Sequence, residues 1–502
     1  MKFLSLFVLS LVCVCAAFGQ SNSSFYVSTT GNDSNPGTPT APWRTIQHAA
    51  DTVHAGGTVN VQGGVYEELV TIKASGNSSD GFITFRSYPG ETAILDATHF
   101  TPSGRQAILT IHNQSYVRIE RFEIRNFHTA DHHLSPLGIS VMGAGSHIEL
   151  LKNNVHHIEQ TFEGRDGPGH GANGFGIAVY GTDAKAPITD LVIDGNEVHH
   201  LKTGSSESLV VNGNVTNFRI THNVVHDNNN IGIDVIGFEH TAPDPSVDQA
   251  RDGLVSGNLV YNVHSRGNPA YQNEENSDGI YVDGGTRILI EQNIMHDDDF
   301  GIELASEHKD RATSYITARN NLIYHCHTAG VSIGGYAPER GHTDHSTVVN
   351  NTLYENDTSA TGSGEFQMQW NMADNIFANN IVYAGERCLI AINKSQVDKE
   401  HPAVAIDHNL YYCASGAKAS TWAEAAGTVT GFEKYVESTG SDTHSKFLDP
   451  HFVDVAKDFH LQADSPAIAA GTVDAAPVGE LDLDGSPRVN SGKIDIGCYQ
   501  KK

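Results

Sequence analysis

Short stretches of alternating apolar and polar residues recur along most of this chain, and glycine opens many of them. Three consecutive stretches read Gly232-Ile233-Asp234-Val235-Ile236, Gly279-Ile280-Tyr281-Val282-Asp283 and Gly301-Ile302-Glu303-Leu304. Alternation places successive side chains on opposite faces of a β-strand. We therefore predict that the aliphatic residues face a core and that the residues between them face outward, towards solvent.

A second repeat follows the strands, in which an asparagine precedes two mostly apolar residues at intervals of roughly 30 residues. These asparagines are Asn154, Asn196, Asn223, Asn258, Asn293, Asn321, Asn351, Asn380 and Asn409. A repeat of this length, built of short strands and turns, is typical of a solenoid with stacked coils. We expect the amides to bond along the stack and to satisfy the backbone of the turns. The histidines that follow them repeat no known ligand spacing, so we assign them to the turns as well.

The fold class predicted by these repeats is all-β, a parallel β-helix. Equivalent residues of stacked coils lie about 4.8 Å apart, so Asp234, Tyr281 and Glu303 should form one column, with Asp283 in the next. Insertions at 238–251 and 264–278 flank this column and would wall a groove. Residues after Thr45 have helical spacing, and we expect a short N-terminal helix to cap the open end of the solenoid.

The ends of the chain and its charge limit what the protein does. Residues 1–19 resemble a secretory signal peptide, and no other apolar run approaches the length of a membrane span. The net charge of −28 and pI near 5.3 argue against nucleic acid as a partner. We divide the remainder into an N-terminal cap with the first coils (20–80), the β-helix (81–413) and a C-terminal irregular segment and cap (414–502). Among the cysteines beyond the signal, buried free thiols are favoured over a single bridge.

Both ends of the mature chain resemble a known superfamily. At the N-terminus the motif runs from Tyr26-Val27-Ser28 to Asn35-Pro36-Gly37-Thr38; at the C-terminus it comprises Leu448-Asp449-Pro450, Asp464-Ser465-Pro466 and Asp495-Ile496-Gly497. They resemble the secreted bacterial right-handed parallel β-helix proteins of the pectate-lyase-like superfamily. The resemblance implies a right-handed solenoid, a secreted or periplasmic location and a polysaccharide substrate. It leaves the reaction open, because this fold carries several activities.

One acidic segment carries a more specific resemblance. The stretch Asp298-Asp299-Phe300-Gly301-Ile302-Glu303 is loosely similar to the calcium-binding segment of polysaccharide lyase family nine, although a phenylalanine interrupts it and glutamate replaces the last aspartate. The similarity implies calcium-assisted β-elimination of a uronate polysaccharide, with Lys309 as the nearest counterpart of the family's lysine base. The predicted catalytic residues are Lys309, Glu303 and Asp283. The predicted Ca²⁺ ligands are Asp234, Asp278, Asp283, Asp299 and Glu303.

Two alternatives use the same outer face. In the first, two of the carboxylic acids act as acid and base of an inverting glycoside hydrolase, which needs a separation of about 6.5 to 9.5 Å. In the second, the protein binds glycan without cleaving it, through aromatic side chains along the face. The predicted substrate-binding residues are Tyr180, His240, Tyr281, His308 and Trp370, and the aromatic residues of the binding hypothesis are Tyr180, Tyr281, Tyr336 and Trp370.

Overall fold

The computed structural model describes residues 23–164, 172–272, 274–395, 402–425, 427–474 and 476–501. The predicted signal peptide, residues 1–19, lies outside these ranges. Within them, no helix is long and apolar enough to cross a membrane. The chain winds through three long sheets, which we number in the order in which each coil visits them.

Sheet I has 16 strands, of which 13 form its main path. The main path is Ser24–Val27, Thr58–Val61, Ile83–Ser87, Val117–Glu120, Gly145–Leu151, Ile188–Asp194, Val215–Thr221, Arg251–Ser256, Thr286–Glu291, Thr317–Arg319, Thr347–Val349, Asn375–Ala378 and Val404–Asp407. The side strands are Ala312–Ser314, His342–Asp344 and Met372–Ala373.

Sheets II and III have 13 strands each. Sheet II consists of Gly64–Tyr66, Ala93–Asp96, Phe122–Thr129, Asn154–Gln160, Glu197–His199, Val224–Asn228, Leu259–Val263, Ile294–His296, Leu322–Tyr324, Thr352–Tyr354, Ile381–Ala384, Leu410–Cys413 and Lys446–Phe447. Sheet III consists of Val70–Ile72, Arg105–His112, Ser135–Gly143, Phe175–Gly181, Leu209–Gly213, Ile233–Ile236, Asp278–Asp283, Phe300–Ala305, Ala329–Ile333, Phe366–Met368, Leu389–Asn393, Thr421–Glu424 and Gly427–Thr430.

Parallel pairing between equivalent strands of successive coils confirms the predicted parallel β-helix. For example, Ile233, Ile280 and Ile302 are in register on sheet III, and all three are fully buried. Aliphatic residues stack in this way from coil to coil and form one continuous core inside the solenoid. Because each coil buries its apolar face only against its neighbours, the core grows with every repeat.

An asparagine ladder runs through the turn between sheets I and II. Asn196, Asn223 and Asn258 are typical: each side-chain NH₂ donates to the amide oxygen of the next asparagine, at 2.9 to 3.0 Å. Each amide oxygen also accepts a backbone N–H from the coil before it. The predicted ladder is confirmed, with one correction. Its member in the first of these coils is Asn153, which is 1% exposed, because Asn154 begins the next strand and points outward.

Both ends of the solenoid are covered. At the N-terminus the predicted helix is present as Ile46–Thr52, and the Thr45 hydroxyl caps it by accepting the N–H of His48 at 3.1 Å. At the other end a second helix, Phe432–Thr439, follows the last strands of sheet III. The chain then runs back along sheet II, with a two-stranded hairpin, Phe452–Asp454 and Asp458–Leu461, packed on it. Segment 414–502 therefore contains more regular structure than we expected.

One disulfide joins neighbouring coils near the C-terminus. Cys388 and Cys413 are bonded, with their Cα atoms 5.4 Å apart. Cys326 and Cys498 are free and buried. The preference for free thiols is therefore correct for two of these cysteines and wrong for the other two, because coil stacking brings Cys388 beside Cys413.

Candidate active site

The outer face of sheet III carries the predicted acidic column. Asp234 pairs in register with Tyr281, and Tyr281 with Glu303. The column continues through Ser332 and Gln367 on the next two strands. Asp283 lies on the same face, two residues beyond Tyr281. The predicted arrangement of these residues is therefore confirmed.

The expectation that these side chains face open solvent is wrong for most of the column. Asp234 is 2% exposed, Asp283 4% and Tyr281 5%, and only Glu303 is partly accessible. The second predicted insertion contributes to this enclosure: its residue Tyr271 lines a groove with Tyr281 and Glu303 and accepts a hydrogen bond from Asn230 at 3.2 Å. Asp283 is held from another side, because its Oδ1 accepts the backbone N–H of Glu307 at 2.8 Å. The column thus lies at the floor of a groove, where carboxylates lose water.

The groove has a volume of about 800 Å³. Four aromatic rings line it: Tyr271, Tyr281, Phe300 and Tyr336. Its acidic residues are Glu274, Glu275, Asp278, Glu303 and Glu307, its amide side chains are Asn276, Gln367 and Gln369, and its basic residue is Lys394. An elongated polar cleft with aromatic rings suits a chain of sugar rings, which present both hydroxyls and apolar faces.

Glu303 is the best-held acid in the cleft. Its Oε1 accepts a hydrogen bond from Gln369 Nε2 at 2.7 Å and one from the Ser332 hydroxyl at 3.1 Å. Burial raises the pKa of Glu303 to about 7, although the Ser332 hydrogen bond and Lys394 favour its ionised form. A carboxyl group with such a pKa can both give and take a proton near neutral pH.

Three further carboxyl groups are buried beside it: Asp234, Asp278 and Asp283. Burial raises the pKa of each well above its usual range, and the neighbouring acids raise it further. One oxygen of Asp234 and one of Asp278 are buried without a hydrogen-bond partner. Such oxygens require either a proton or a bound cation.

The lysine in the cleft is not the one that the sequence suggested. Lys394 is half-buried, and burial lowers its pKa while Glu303 opposes this effect. Lys309 is exposed and lies in a separate shallow depression with Asp310 and Arg340. The chain leaves sheet III between Glu303 and Lys309, so Lys309 does not reach the groove although it is close to Glu303 in sequence.

The predicted calcium ligands divide into separate groups. Among the residues that the structure describes, no three of the five acids place their oxygens within 4.8 Å of one another. Asp283 instead meets Glu239 and His308 within that distance. Asp299 meets Glu275 and His327, and its Oδ2 accepts the backbone N–H groups of Ser265 and Ser277.

The predicted substrate-binding residues also separate. Tyr281 lines the cleft. His308 forms a cluster with Glu239 and Asp283 beside the cleft. Tyr180 is further along sheet III, where the Arg105 guanidinium lies 3.9 Å from the centre of its ring. His240 is exposed beside the acidic column, on a turn held by Asp248. Trp370 is partly buried and pairs through its backbone with Gly335, so it does not line the groove.

Sequence reasoning missed Gln369 and Lys394. Both follow strands of sheet III, after Phe366–Met368 and Leu389–Asn393. A signal for Gln369 was present, because Glu365-Phe366-Gln367-Met368 belongs to the strand repeat. Gln369 reaches Glu303 across two coils and Lys394 lines the same cleft from the coil beyond, which the repeat alone does not reveal.

Comparisons with known proteins agree with this architecture. Residues 25–173 match the model of the Pel9A-like right-handed β-helix region, and residues 246–428 match a general right-handed β-helix region. The chain is 36% identical over 454 residues to the uncharacterized protein YwoF of Bacillus subtilis, covering 89% of this chain and 92% of that one. It is 31% identical over 139 residues to pectate lyase PEL9 of Emericella nidulans, covering 26% and 34% of the two chains.

Among solved structures, the native GH136 lacto-N-biosidase of Eubacterium ramulus superposes with a TM-score of 0.54 at 14% identity, covering 85% of this chain and 67% of that one. This likeness concerns the fold alone. Together with the three parallel sheets, the matches place the protein: it belongs to the pectate-lyase-like right-handed parallel β-helix proteins and, within them, to the family of Bacillus subtilis YwoF.

Proposed function

We propose that the protein is a carbohydrate-active enzyme that cleaves a uronate-containing polysaccharide by β-elimination in the sheet III cleft. The observation that carries this proposal is that Lys394 and Glu303 line the same cleft and interact electrostatically there. Burial lowers the pKa of the lysine and raises that of the glutamate to about 7. A lysine whose pKa is lowered towards its neutral, basic form and a carboxyl group that stays protonated near neutral pH are the base and the acid that elimination requires.

The reaction assigns a role to each group. Neutral Lys394 removes the proton from the ring carbon beside the uronate carboxyl group. The electron pair forms the new carbon–carbon double bond and expels the glycosidic oxygen, which Glu303 protonates as it leaves. Lys394 ends charged and Glu303 ionised, and transfer of the proton from Lys394 to Glu303 restores both.

The uronate carboxylate must be neutralised for its neighbouring proton to become acidic. Gln367 lines the cleft and has a second amide N–H besides the one that it donates to Ser363, and burial favours the protonated form of Asp278, which then donates rather than accepts. These groups provide neutral hydrogen-bond donors in a site whose other acids would repel an anion.

Calcium is the proposed cofactor in a second form of this mechanism. Ca²⁺ takes six to eight oxygen ligands, and the five acids that the sequence indicated do not gather as one such set. The buried, unpartnered oxygens of Asp234 and Asp278 are the positions that suit a hard cation. A bound Ca²⁺ would neutralise the substrate carboxylate; the roles of Lys394 and Glu303 do not require it.

Hydrolysis is the second candidate function, and one observation favours it. Glu303 and Asp278 extend into the same cleft from adjacent strands, and after burial Glu303 contributes most to the raised pKa of Asp278. A carboxyl group whose pKa is raised by burial and by a second carboxyl group nearby is typical of a glycosidase acid.

The similar proteins support a carbohydrate substrate more than a particular reaction. One is named a pectate lyase and another a lacto-N-biosidase. The Pel9A-like match ends at residue 173, before any of the cleft residues. We further propose that the protein acts outside the cytoplasm, because the Cys388–Cys413 bond requires an oxidising compartment.

The decisive experiment follows the ultraviolet absorbance of the unsaturated uronate during incubation with acidic and neutral polysaccharides, with calcium or with chelator. We expect absorbance to rise with an acidic polysaccharide. A rise that survives chelation supports the amide-assisted form, and one that chelation abolishes supports calcium. New reducing ends without absorbance would indicate hydrolysis instead of elimination. If no polysaccharide gives either signal, the proposal that the protein is an enzyme of this class is contradicted.

A further inference from the structure

A stack of rings runs along the outer face of sheet II, on a different side of the solenoid from the cleft. Its rings are His156, His199, His226, Tyr261, His296 and Tyr324, and successive rings are stacked with their centroids 4.8 to 5.1 Å apart. Parallel pairing places His156, His199 and His226 in register. The stack therefore fixes the orientation of each imidazole from both sides.

The residue after each histidine of the stack turns back towards it. His157, His200 and Asp227 all adopt left-handed backbone conformations, with φ between 52° and 53°. Asp227 follows His226, and its carboxylate accepts a hydrogen bond from the imidazole Nδ1 at 2.7 Å. The same contact, also 2.7 Å, recurs between His296 and Asp297. In these coils Nδ1 is satisfied by an ordinary charge-assisted hydrogen bond.

Two coils differ, because a second histidine stands where the carboxylate would be. The Nδ1 atoms of His156 and His157 lie 2.6 Å apart, and those of His199 and His200 also lie 2.6 Å apart. The two pairs stack on each other: His157 and His200 are parallel within 8°, with centroids 5.5 Å apart. Four imidazoles thus present their Nδ1 atoms in two adjacent pairs.

In the inner rings of the two pairs, His156 and His199, the hydrogen-bond partner of Nε2 determines which ring nitrogen carries the proton. His199 Nε2 lies 2.9 Å from the Asn154 amide oxygen, whose NH₂ group is turned to Glu197. An amide oxygen only accepts, so Nε2 of the neutral ring carries the proton, and its Nδ1 lone pair accepts the Nδ1–H of His200. His156 has Glu123 in the corresponding position, at 3.4 Å. Amide or carboxylate partners of this kind orient metal-binding histidines.

We propose that His156 with His157, and His199 with His200, form a binding site for a borderline divalent metal ion such as Zn²⁺, Cu²⁺ or Ni²⁺. Imidazole nitrogens are preferred ligands of these ions, at distances near 2.0 to 2.1 Å for zinc. Each pair chelates one ion through its two Nδ1 atoms when the proton of their hydrogen bond moves to Nε2 of the outer histidine and the two atoms separate to about 3 Å, and water completes the coordination. The second ion binds more weakly, because two dications on adjacent coils repel.

The outer histidines are accessible, so an ion reaches the site without rearrangement of the solenoid. His157 and His200 are exposed, whereas His156 and His199 are partly buried in the stack. His156 and His157 lie within one strand of sheet II, whereas His199 ends a strand and His200 follows it. Because an ion that binds only the folded protein stabilises it, binding should raise the melting temperature as well as give a direct signal.

The test is calorimetric titration of the full mature protein with Zn²⁺ near pH 7.5, where imidazoles are largely neutral. We expect micromolar binding by the wild type and at least ten-fold weaker binding by the double variant His157→Asn/His200→Asn. Both substitutions are at exposed positions, and asparagine tolerates left-handed backbone. His99→Asn is the control, because His99 is exposed and lies outside the stack.

A second readout identifies the ligands. Electron paramagnetic resonance of the Cu²⁺ complex should show coupling to imidazole nitrogens in the wild type and in His99→Asn, and lose it in the double variant. Unchanged zinc binding by the double variant, or no zinc binding by the wild type up to about 1 mM, would overturn the proposal. The metal-free melting temperature of each variant separates a folding defect from the loss of a ligand.

Discussion

Gln369 donates a hydrogen bond of 2.7 Å to Glu303, although the two residues belong to coils that are two apart in the stack. The same amide also donates to the Ser332 hydroxyl of the intervening coil, at 2.8 Å. This network holds the carboxyl group of Glu303 at the floor of the cleft. It connects three coils and gives the acid a fixed position despite its burial.

Glu303→Gln should reduce turnover by about two to four orders of magnitude. Glutamine retains the shape and can still interact with Ser332, but it cannot protonate a leaving oxygen. The measurement is the initial rate on the substrate identified by the absorbance assay. Glu67→Gln, an exposed substitution far from the cleft, should retain the wild-type rate; equal losses in both variants would argue against a specific role for Glu303.

Lys394→Gln should abolish the elimination product, because it removes the proposed base. Lys309→Gln tests the assignment that the sequence favoured, since Lys309 is exposed outside the cleft. We expect a large loss of kcat for the first substitution and a small one for the second. The reverse result would restore Lys309 as the base and would require the loop that carries it to move into the groove.

The free energy of unfolding should decrease as the pH rises above the normal pKa range of carboxyl groups. Burial raises the pKa of Glu303 to about 7 and that of Glu207 to about 8, while the unfolded groups titrate near 4.3. Between these values the folded state binds more protons than the unfolded state, so raising the pH disfavours folding. The melting temperature should therefore decrease from pH 5 to pH 9.

The Asp234→Asn variant should show a flatter pH dependence, because the amide does not ionise. Added Ca²⁺ should also protect the wild type at high pH if the buried oxygens of Asp234 and Asp278 hold that cation. A melting temperature that rises steadily from pH 5 to pH 9 without calcium would contradict the assigned pKa shifts.

Asn153→Ala should destabilise the protein by about 3 kcal/mol. The substitution removes the acceptor of the Phe122 backbone N–H and the donor to the Ile119 carbonyl, and both are buried. Asn154→Ala is a matched control from the adjacent position, where the side chain points outward. Chemical denaturation measures both variants, and equal losses would mean that the ladder does not pass through Asn153.

Loss of the disulfide should cost about 3 kcal/mol, because the bond closes a loop between residues separated by 25 positions. The double variant Cys388→Ser/Cys413→Ser should accordingly unfold at lower denaturant concentration than the oxidised wild type. Thiol titration of the denatured, unreduced mature protein should detect Cys326 and Cys498 alone. Four reactive thiols would show that the bond does not form.

The sequence by itself determined the solenoid, because the strand alternation and the asparagine repeat are local patterns that recur from coil to coil, and the capping helix has a local pattern of its own. Stacking at constant register then made the column of Asp234, Tyr281 and Glu303 predictable. Even the ladder was readable from the chain, with an error of one residue where two asparagines are adjacent.

Tertiary structure alone decided which groups meet around that column. Loops packed beside the sheet, with Tyr271 on one and Glu307 on another, turn the predicted solvent-facing acids into buried acids with raised pKa values. Lys394 lines the same cleft as Glu303 from a distant coil, whereas Lys309 leaves the face a few residues after Glu303. The paired histidines of sheet II likewise depend on left-handed turns. Local periodicity specifies which face a residue occupies, but contacts between coils depend on side-chain reach and loop packing, which no single repeat encodes.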